Sequence, residues 1–202
     1  MKNHNQLKQL PKVLVIIGPT ASGKSDLAIK IAKKYNGEII SADSRQVYRG
    51  MDIGTGKVTK EEQRRIKHHL LDITNPKQQF TADNFKKLGE KAVKEISVKG
   101  KISIVVGGTG FYIDVLLGRM AIAQVQPNKK LRAKLEKQST EKLFEQLTTN
   151  DPKRAKIIDR NNKRRLIRAL EITLITGKPV TNTALNTKYR VLWLGINPNK
   201  KE

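Results

Sequence analysis

Residues 18–25 constrain this chain more than any other stretch, because they fit GxxxxGKS, the pattern of a phosphate-binding loop. In such a loop backbone N–H groups surround anionic oxygens, the lysine neutralises charge, and the last hydroxyl reaches a Mg²⁺ ion. The apolar run 13–17 before the motif and the amphipathic run 26–35 after it are typical of the strand and helix that flank such loops. The residues predicted to bind phosphate are Gly18, Pro19, Thr20, Ala21, Ser22, Gly23, Lys24 and Ser25, with Ser25 also on the metal.

The chain up to residue 118 has the pattern of an α/β domain. Apolar runs predict strands at 13–17, 38–42 and 102–106, and a short strand or an extended run at 69–73. Helical spacing predicts helices at 26–35, 61–67, 80–98 and 111–117, with Phe85, Leu88, Ala92 and Ile96 as the buried stripe of the third. These elements predict a P-loop NTPase-like core with a parallel sheet, and residues 45–57 predict a glycine-containing loop between its strands.

After residue 118 the pattern becomes helical. Helices are predicted at 126–138, 141–147, 152–158 and 163–176, and strand character returns only at 190–196, where Trp193 is expected to be a core residue. We therefore predict three segments: the α/β core 1–118, an all-helical insertion 119–188, and a return strand in 189–202.

The second large constraint is charge. The chain carries 41 basic and 18 acidic residues, a formal net charge of +23, and residues 119–202 alone have 20 basic against 7 acidic side chains. Such a positive field attracts a polyanion, and nucleic acid is the obvious candidate, although a solvated lysine-rich surface is the plainer alternative. No run approaches the length of a membrane span and no signal peptide is present, so a cytoplasmic, monomeric protein is expected.

Two strand ends supply candidate catalytic groups. Asp43 follows the strand 38–42, where its carboxylate can act as a general base or as a partner of Mg²⁺, or can simply hold a turn. Thr109 lies in the glycine-rich turn after 102–106 and offers a hydroxyl, or else a helix cap. The strand 102–106 lacks the terminal acidic residue that P-loop ATPases use to hold Mg²⁺.

The basic and histidine residues outside the phosphate-binding loop indicate a function less specifically than the loop does. Arg164, Arg165 and Arg168 lie on one predicted helix and suit phosphate contacts or a solvated face equally. His68 and His69 are adjacent, so they cannot share one helical face, and a metal site there is disfavoured.

Several motifs occur in an order that resembles the bacterial tRNA dimethylallyltransferase (tRNA isopentenyltransferase) family. They are GPTASGKS, IISADSRQVYRGMDIGTGK, HHLLDI, VVGGTGFYIDVLLG and NNKRRLIRALEI. The resemblance implies transfer of a dimethylallyl group from dimethylallyl diphosphate to N6 of the adenosine adjacent to the anticodon, in tRNAs that read U-initial codons. The partners implied are tRNA, through its anticodon stem-loop, and the isoprenoid diphosphate, with Mg²⁺ as cofactor.

The same resemblance assigns roles by position. Thr20 to Ser25 would hold the diphosphate, and Asp43, Lys24 and Thr109 would be the catalytic residues, with Asp43 taking the proton from N6. The residues implied to contact tRNA are Asp43, Ser44, Arg45, Gln46, Thr109, Arg132, Arg164, Arg165, Leu166, Ile167 and Arg168. Family members continue past the strand 190–196, so we expect slower transfer by this shorter chain than by an extended form.

Three other functions fit parts of the sequence. A small-molecule or nucleotide kinase would need only the phosphate-binding loop, the α/β core and Asp43. A noncatalytic RNA-binding remnant would use the basic insertion alone. An isopentenyltransferase acting on free adenylate would have no need for that insertion.

Overall fold

The computed structural model describes residues 10–180 and 188–197. These residues form two compact units, one of 10–120 with 188–197 and one of 121–180. The first unit is built on a sheet whose five strands all run parallel in the order β3-β2-β4-β1-β5. The strands are β1 Lys12–Ile17, β2 Gly37–Ser41, β3 His68–His69, β4 Ile102–Val106 and β5 Arg190–Gly195.

Helices cover both faces of the sheet. Those of the first unit are α1 Lys24–Lys34, α2 Lys60–Arg65, α3 Ala82–Val98 and α4 Gly110–Leu116, with a short 3₁₀ turn at Ile53–Thr55. One face packs Val13 and Val15 of β1 against Phe85 of α3 and Ile113 of α4. The other face packs Leu14 and Ile16 against α1. Alternate side chains of one strand therefore enter two separate cores, which is why the parallel strands are continuously apolar.

Two predicted core positions are wrong. Trp193 lies on β5, one of the two edge strands, where the residue is 37% exposed and its ring lies 5.0 Å from the Arg119 guanidinium. Leu88 is exposed, and Gly89 takes the inward position on α3, where a β-carbon would lie 2.9 Å from Leu116. Because α3 packs so close to Leu116, glycine occupies position 89, where helical spacing alone would predict a larger apolar residue.

The predicted strand at 69–73 is also wrong beyond its first residue. β3 consists of His68 and His69 only, because Leu70 and Asp72 have positive φ values of 66° and 54° and leave the extended conformation. The preceding helix α2 begins as its sequence suggests, with Thr59 and Glu62 forming a reciprocal capping box.

Helices are the only regular secondary structure among the described residues of the second unit. Its helices are α5 Lys129–Glu136, α6 Thr140–Asn150, α7 Pro152–Ala155 and α8 Lys163–Thr176. Leu135, Leu143, Leu147, Leu166 and Leu170 form its core. No helix of the part of the chain described here is long and apolar enough to cross a membrane.

Candidate active site

The phosphate-binding loop connects β1 to α1 at the carboxyl edge of the sheet. Gly23 has a φ of 78° and is the residue from which α1 begins, so the left-handed conformation that glycine favours is needed there. The loop residues Thr20 to Ser25 line a cavity of about 270 Å³ together with Asp43. The N-terminus of the eleven-residue helix α1 faces this cavity, and the backbone N–H groups there favour the binding of an anion.

Lys24 folds back over the loop. Its ammonium group donates hydrogen bonds to the carbonyl oxygen of Pro19 and to Oγ of Ser22, at 3.4 Å for the latter. Burial lowers the pKa of Lys24, and the negative charge of Asp43 partly offsets this shift. A bound diphosphate would replace these weak acceptors with stronger anionic ones.

Gly18, the first glycine of the motif, is needed for packing. A β-carbon at residue 18 would lie 2.6 Å from the carbonyl oxygen of Ile196, just past the end of β5. The loop thus rests against a segment that is distant in sequence, which no local reading of GxxxxGKS could indicate.

Asp43 holds a turn and lines the cavity as well. Its Oδ1 accepts hydrogen bonds from the backbone N–H groups of Arg45, at 2.8 Å, and Gln46, at 3.3 Å. Among the described residues none donates a hydrogen bond to Oδ2. Turn formation, the plainer interpretation of Asp43, therefore occupies one carboxylate oxygen and leaves the other for a ligand.

Gln46 fixes the loop 51–57 beside the cavity. Its amide nitrogen donates to the carbonyl oxygens of Thr55 and Gly56, at 3.2 and 3.3 Å, and its amide oxygen accepts from Ser41 Oγ at 3.0 Å. Ser44 and Arg45 are exposed. Contact of these residues with tRNA stays a prediction, and for Gln46 the geometry supports a structural role first.

Thr109 connects the ends of β2 and β4. Its Oγ1 accepts a hydrogen bond from the Ser44 backbone N–H at 3.1 Å, and its own N–H donates to the Ala42 carbonyl at 3.2 Å. Thr109 also occupies the N-cap position of α4, as the alternative interpretation predicted, but its Oγ1 makes no capping hydrogen bond to the helix. The hydroxyl hydrogen of Thr109 is still free to donate toward a ligand.

Gly107 explains why β4 ends without a carboxylate. A β-carbon on this residue would overlap the carbonyl group of Ala42, whereas one on Gly108 would meet no atom within 4 Å. The close neighbour of Gly107 is therefore the backbone that follows β2. An acidic side chain cannot stand at this position in this fold.

His68 is a cavity residue that the sequence analysis did not propose for binding. Its Nδ1 lies 2.8 Å from the Ile66 carbonyl oxygen, which only accepts, so Nδ1 carries the proton and Nε2 of the neutral ring is an acceptor. Burial lowers the pKa of His68, partly opposed by that hydrogen bond. The pairing of β3 with β2 brings His68 to the cavity, and no local pattern in the sequence indicates that pairing.

His69 points into a different cluster. Its Nε2 lies 2.8 Å from Glu38, whose carboxylate also pairs with Lys99 and Lys101. Burial alone would raise the pKa of Glu38, but hydrogen bonds from these three residues lower it to about 2. Within the described residues no group of three His, Cys, Asp or Glu side chains is placed to hold a metal.

The basic residues of the second unit divide into two classes. Arg132 and Arg168 both pair with Glu171, whose carboxylate is fully buried, at 2.7 and 2.5 Å. Arg168 also donates to the carbonyl oxygen of Val125 at 3.0 Å. Burial alone would raise the pKa of Glu171, but hydrogen bonds from Arg132, the Asn128 backbone and Arg168 lower it to about 2.

Arg164 and Arg165 are exposed at the start of α8, whereas Leu166 and Ile167 lie in the core. Contact of this stretch with tRNA stays a prediction, and the side chains of Leu166 and Ile167 pack in the core of the second unit. The helical period turns them inward.

Comparison with known proteins agrees with the motifs. The sequence profile of the family described as IPP transferase matches residues 46–202. The chain belongs to this family. The tRNA dimethylallyltransferase of Thermoanaerobacter sp. (strain X514) is 43% identical over 196 residues, which cover 92% of this chain and 62% of that protein. The chain therefore spans less than two thirds of the length of this relative.

Solved structures of IPP transferase relatives share the fold. The full-length tRNA isopentenylpyrophosphate transferase of Bacillus halodurans is 39% identical, with a TM-score of 0.60 over 92% of this chain and 59% of that one. A eukaryotic dimethylallyltransferase, captured acting on tRNA, is 33% identical with a TM-score of 0.80 over 92% of this chain and 48% of that one. The resemblance and the P-loop NTPase-like fold predicted from the sequence are confirmed.

Proposed function

We propose that this chain transfers a dimethylallyl group from dimethylallyl diphosphate to N6 of the adenosine adjacent to the anticodon, in tRNAs that read U-initial codons. The observation that carries the proposal is the meeting of the phosphate-binding loop, Asp43 and Thr109 at one edge of the sheet, with Asp43 in the cavity beside Lys24. The match to the IPP transferase family and the similarity to a tRNA dimethylallyltransferase support isoprenoid transfer rather than ATP chemistry.

The residues present fit a magnesium ion bound through the diphosphate. Ser25 Oγ lines the cavity and takes no hydrogen bond from any described residue, and Mg²⁺ prefers hard oxygen ligands shared between substrate phosphates, water and few protein groups. When bound, the ion would neutralise negative charge on the diphosphate. The loop N–H groups and Lys24 would bind and orient the same oxygens.

The transfer exchanges a C–O bond of the donor for a C–N bond of the product and moves one proton. N6 of the adenosine attacks C1 of the donor, the bond from C1 to the diphosphate oxygen breaks, and the diphosphate leaves with the electron pair. The proton of N6 passes to Oδ2 of Asp43, the carboxylate oxygen that the turn does not use. Thr109 holds the Asp43–Gln46 turn through Ser44 and so fixes the position of the base.

The basic surface would hold the nucleic acid while a base enters the cavity. The target adenosine must leave its stack to reach a buried diphosphate, and phosphate contacts position the rest of the molecule. We assign those contacts to exposed arginines such as Arg45, Arg164 and Arg165. The basic helical segment 119–188 is our candidate for gripping the anticodon stem-loop.

One incubation tests the proposal. The chain is mixed with radiolabelled dimethylallyl diphosphate, Mg²⁺ and unmodified tRNA, in parallel with free AMP and with ATP plus small acceptors. Label in tRNA, found as N6-dimethylallyladenosine after digestion, supports the proposal. Label only in AMP, or phosphorylation of an acceptor, would replace it with the adenylate transferase or the kinase.

A further inference from the structure

Ile53 is the most exposed large apolar side chain among the described residues, at 101% of its reference accessibility. It occupies the first position of the 3₁₀ turn Ile53–Thr55, in the loop between β2 and α2. Exposure of an entire isoleucine side chain to water opposes the hydrophobic effect and contributes nothing to folding. A partner that covers it would recover that loss.

The loop around Ile53 is held by hydrogen bonds and ion pairs on both sides. Thr55 Oγ1 donates to the Met51 carbonyl oxygen at 2.6 Å. The buried ammonium group of Lys57 binds Asp52 Oδ1 at 2.7 Å, Asp72 Oδ1 at 2.5 Å and the Tyr48 carbonyl oxygen at 2.8 Å. Ile53 is therefore presented on a fixed turn, so ordering it on binding costs little.

The position of the turn indicates which substrate Ile53 meets. Thr55, Gly56 and Val58 line the cavity of the phosphate-binding loop, but Ile53 does not. A small donor bound within the cavity would contact Thr55, Gly56 and Val58. Ile53 precedes these lining residues and is not one of them, so a ligand that covers Ile53 has to extend beyond the cavity.

We propose that Ile53 packs against a nucleobase next to the one that enters the cavity, and so is an apolar contact for the RNA substrate. Removing one nucleotide from a stack uncovers the faces of its neighbours, and aliphatic side chains are known to fill such gaps. The exposed Arg45 and Arg49 in the same loop provide the positive charge that brings RNA to it. This inference rests on the proposed function, since it needs an RNA substrate.

The first test measures affinity for a synthetic anticodon stem-loop RNA by fluorescence anisotropy. Ile53→Ser should weaken RNA binding about tenfold while its melting temperature and its affinity for dimethylallyl diphosphate stay within error. Ile53→Leu should restore binding. Val98→Ser is the matched control, because Val98 is 81% exposed at the end of α3, before β4 begins, and so lies away from the cavity edge.

The second test asks whether the contact is to a base. Each nucleotide beside the target adenosine is replaced in turn by an abasic one, and the loss of affinity is measured with the wild-type chain and with Ile53→Ser. If Ile53 packs on one of these bases, removing that base should cost less affinity in Ile53→Ser than in the wild-type chain, because the contact is already lost in the variant. Strict additivity at both positions would overturn the proposal.

Other outcomes separate this inference from the proposed function. Equal RNA affinity of Ile53→Ser and Val98→Ser, with tRNA still modified by the wild-type chain, would overturn the inference alone. Weaker donor binding by Ile53→Ser would place Ile53 in the donor site and also overturn it. If the wild-type chain binds no RNA, and self-associates through this loop instead, both proposals fail together.

Discussion

The backbone of Gly107 lies so close to the carbonyl group of Ala42 that a β-carbon on residue 107 would overlap it. Gly107→Ala should therefore force β2 and β4 apart at the active edge and lower the free energy of unfolding by about 3 kcal/mol, the cost typical of severe overpacking. Urea denaturation measures the loss. Gly108→Ala, where the new methyl group meets no atom within 4 Å, is the control and should change stability little.

Asp43→Asn separates the two roles of this residue. Asparagine keeps an Oδ1 that accepts from Arg45 and Gln46, so the turn and the melting temperature should be preserved. The amide cannot take a proton from N6, so single-turnover transfer should slow by about 10²- to 10⁴-fold with tRNA affinity nearly unchanged. Wild-type turnover in this variant would exclude Asp43 as the base.

Arg164 and Arg165 should carry phosphate contacts that can be removed without unfolding the second unit. Replacing both with glutamine should weaken tRNA binding and reduce the slope of log affinity against log salt by about one for each lost contact. The matched control replaces Lys30 and Lys33, two exposed basic residues on α1, in the same way. An identical salt slope in both double variants would identify the arginines as a solvated face.

Arg168 should behave differently from these two arginines. It pairs with the fully buried carboxylate of Glu171, so Arg168→Gln removes a partner from a buried charge. We expect the free energy of unfolding to fall by about 3 kcal/mol. Thermal denaturation of the Arg168 variant beside an Arg164 variant checks this expectation, and equal melting temperatures would contradict it.

Acid should weaken the fold through Glu38 and Glu171. Both have a folded-state pKa of about 2, below the ordinary value of 4.5, so each stabilises the folded state fully above pH 4.5. That contribution is lost as the pH falls from 4.5 to about 2, because the unfolded chain binds protons first. The stability difference between the wild-type chain and Glu38→Gln should shrink over this interval in urea titrations, and a constant difference would rule out the linkage.

The parts of the fold that the sequence predicts are those set by local pattern. Continuous apolar runs gave β1 and β4 almost to the residue, since a parallel strand buried on both faces has no polar side. Thr59 and Gly177 mark helix ends through caps that need only nearby residues. The exposure of Trp193 depends instead on which strand is outermost, a property of the whole sheet.

The candidate site shows the same division. Asp43 and Thr109 were predictable because both follow strands at the carboxyl edge, where ligands bind in open α/β sheets. His68 was missed because its place in the cavity depends on the pairing of β3 with β2. Likewise the burial of Glu171 between two arginines, which separates Arg168 from Arg164, depends on the packing of α5 against α8.

The central place of β1 has a consequence for how the protein is made. β1 precedes its neighbours in the sheet, β4 and β5, by many residues, so both are translated much later. A nascent chain therefore carries the apolar segment 13–16 without a partner until residues 102–106 emerge, and the Gly18 turn has nothing to rest on until Ile196 follows. Such sequence-distant pairing slows folding and prolongs the interval in which the growing chain can aggregate or recruit a chaperone.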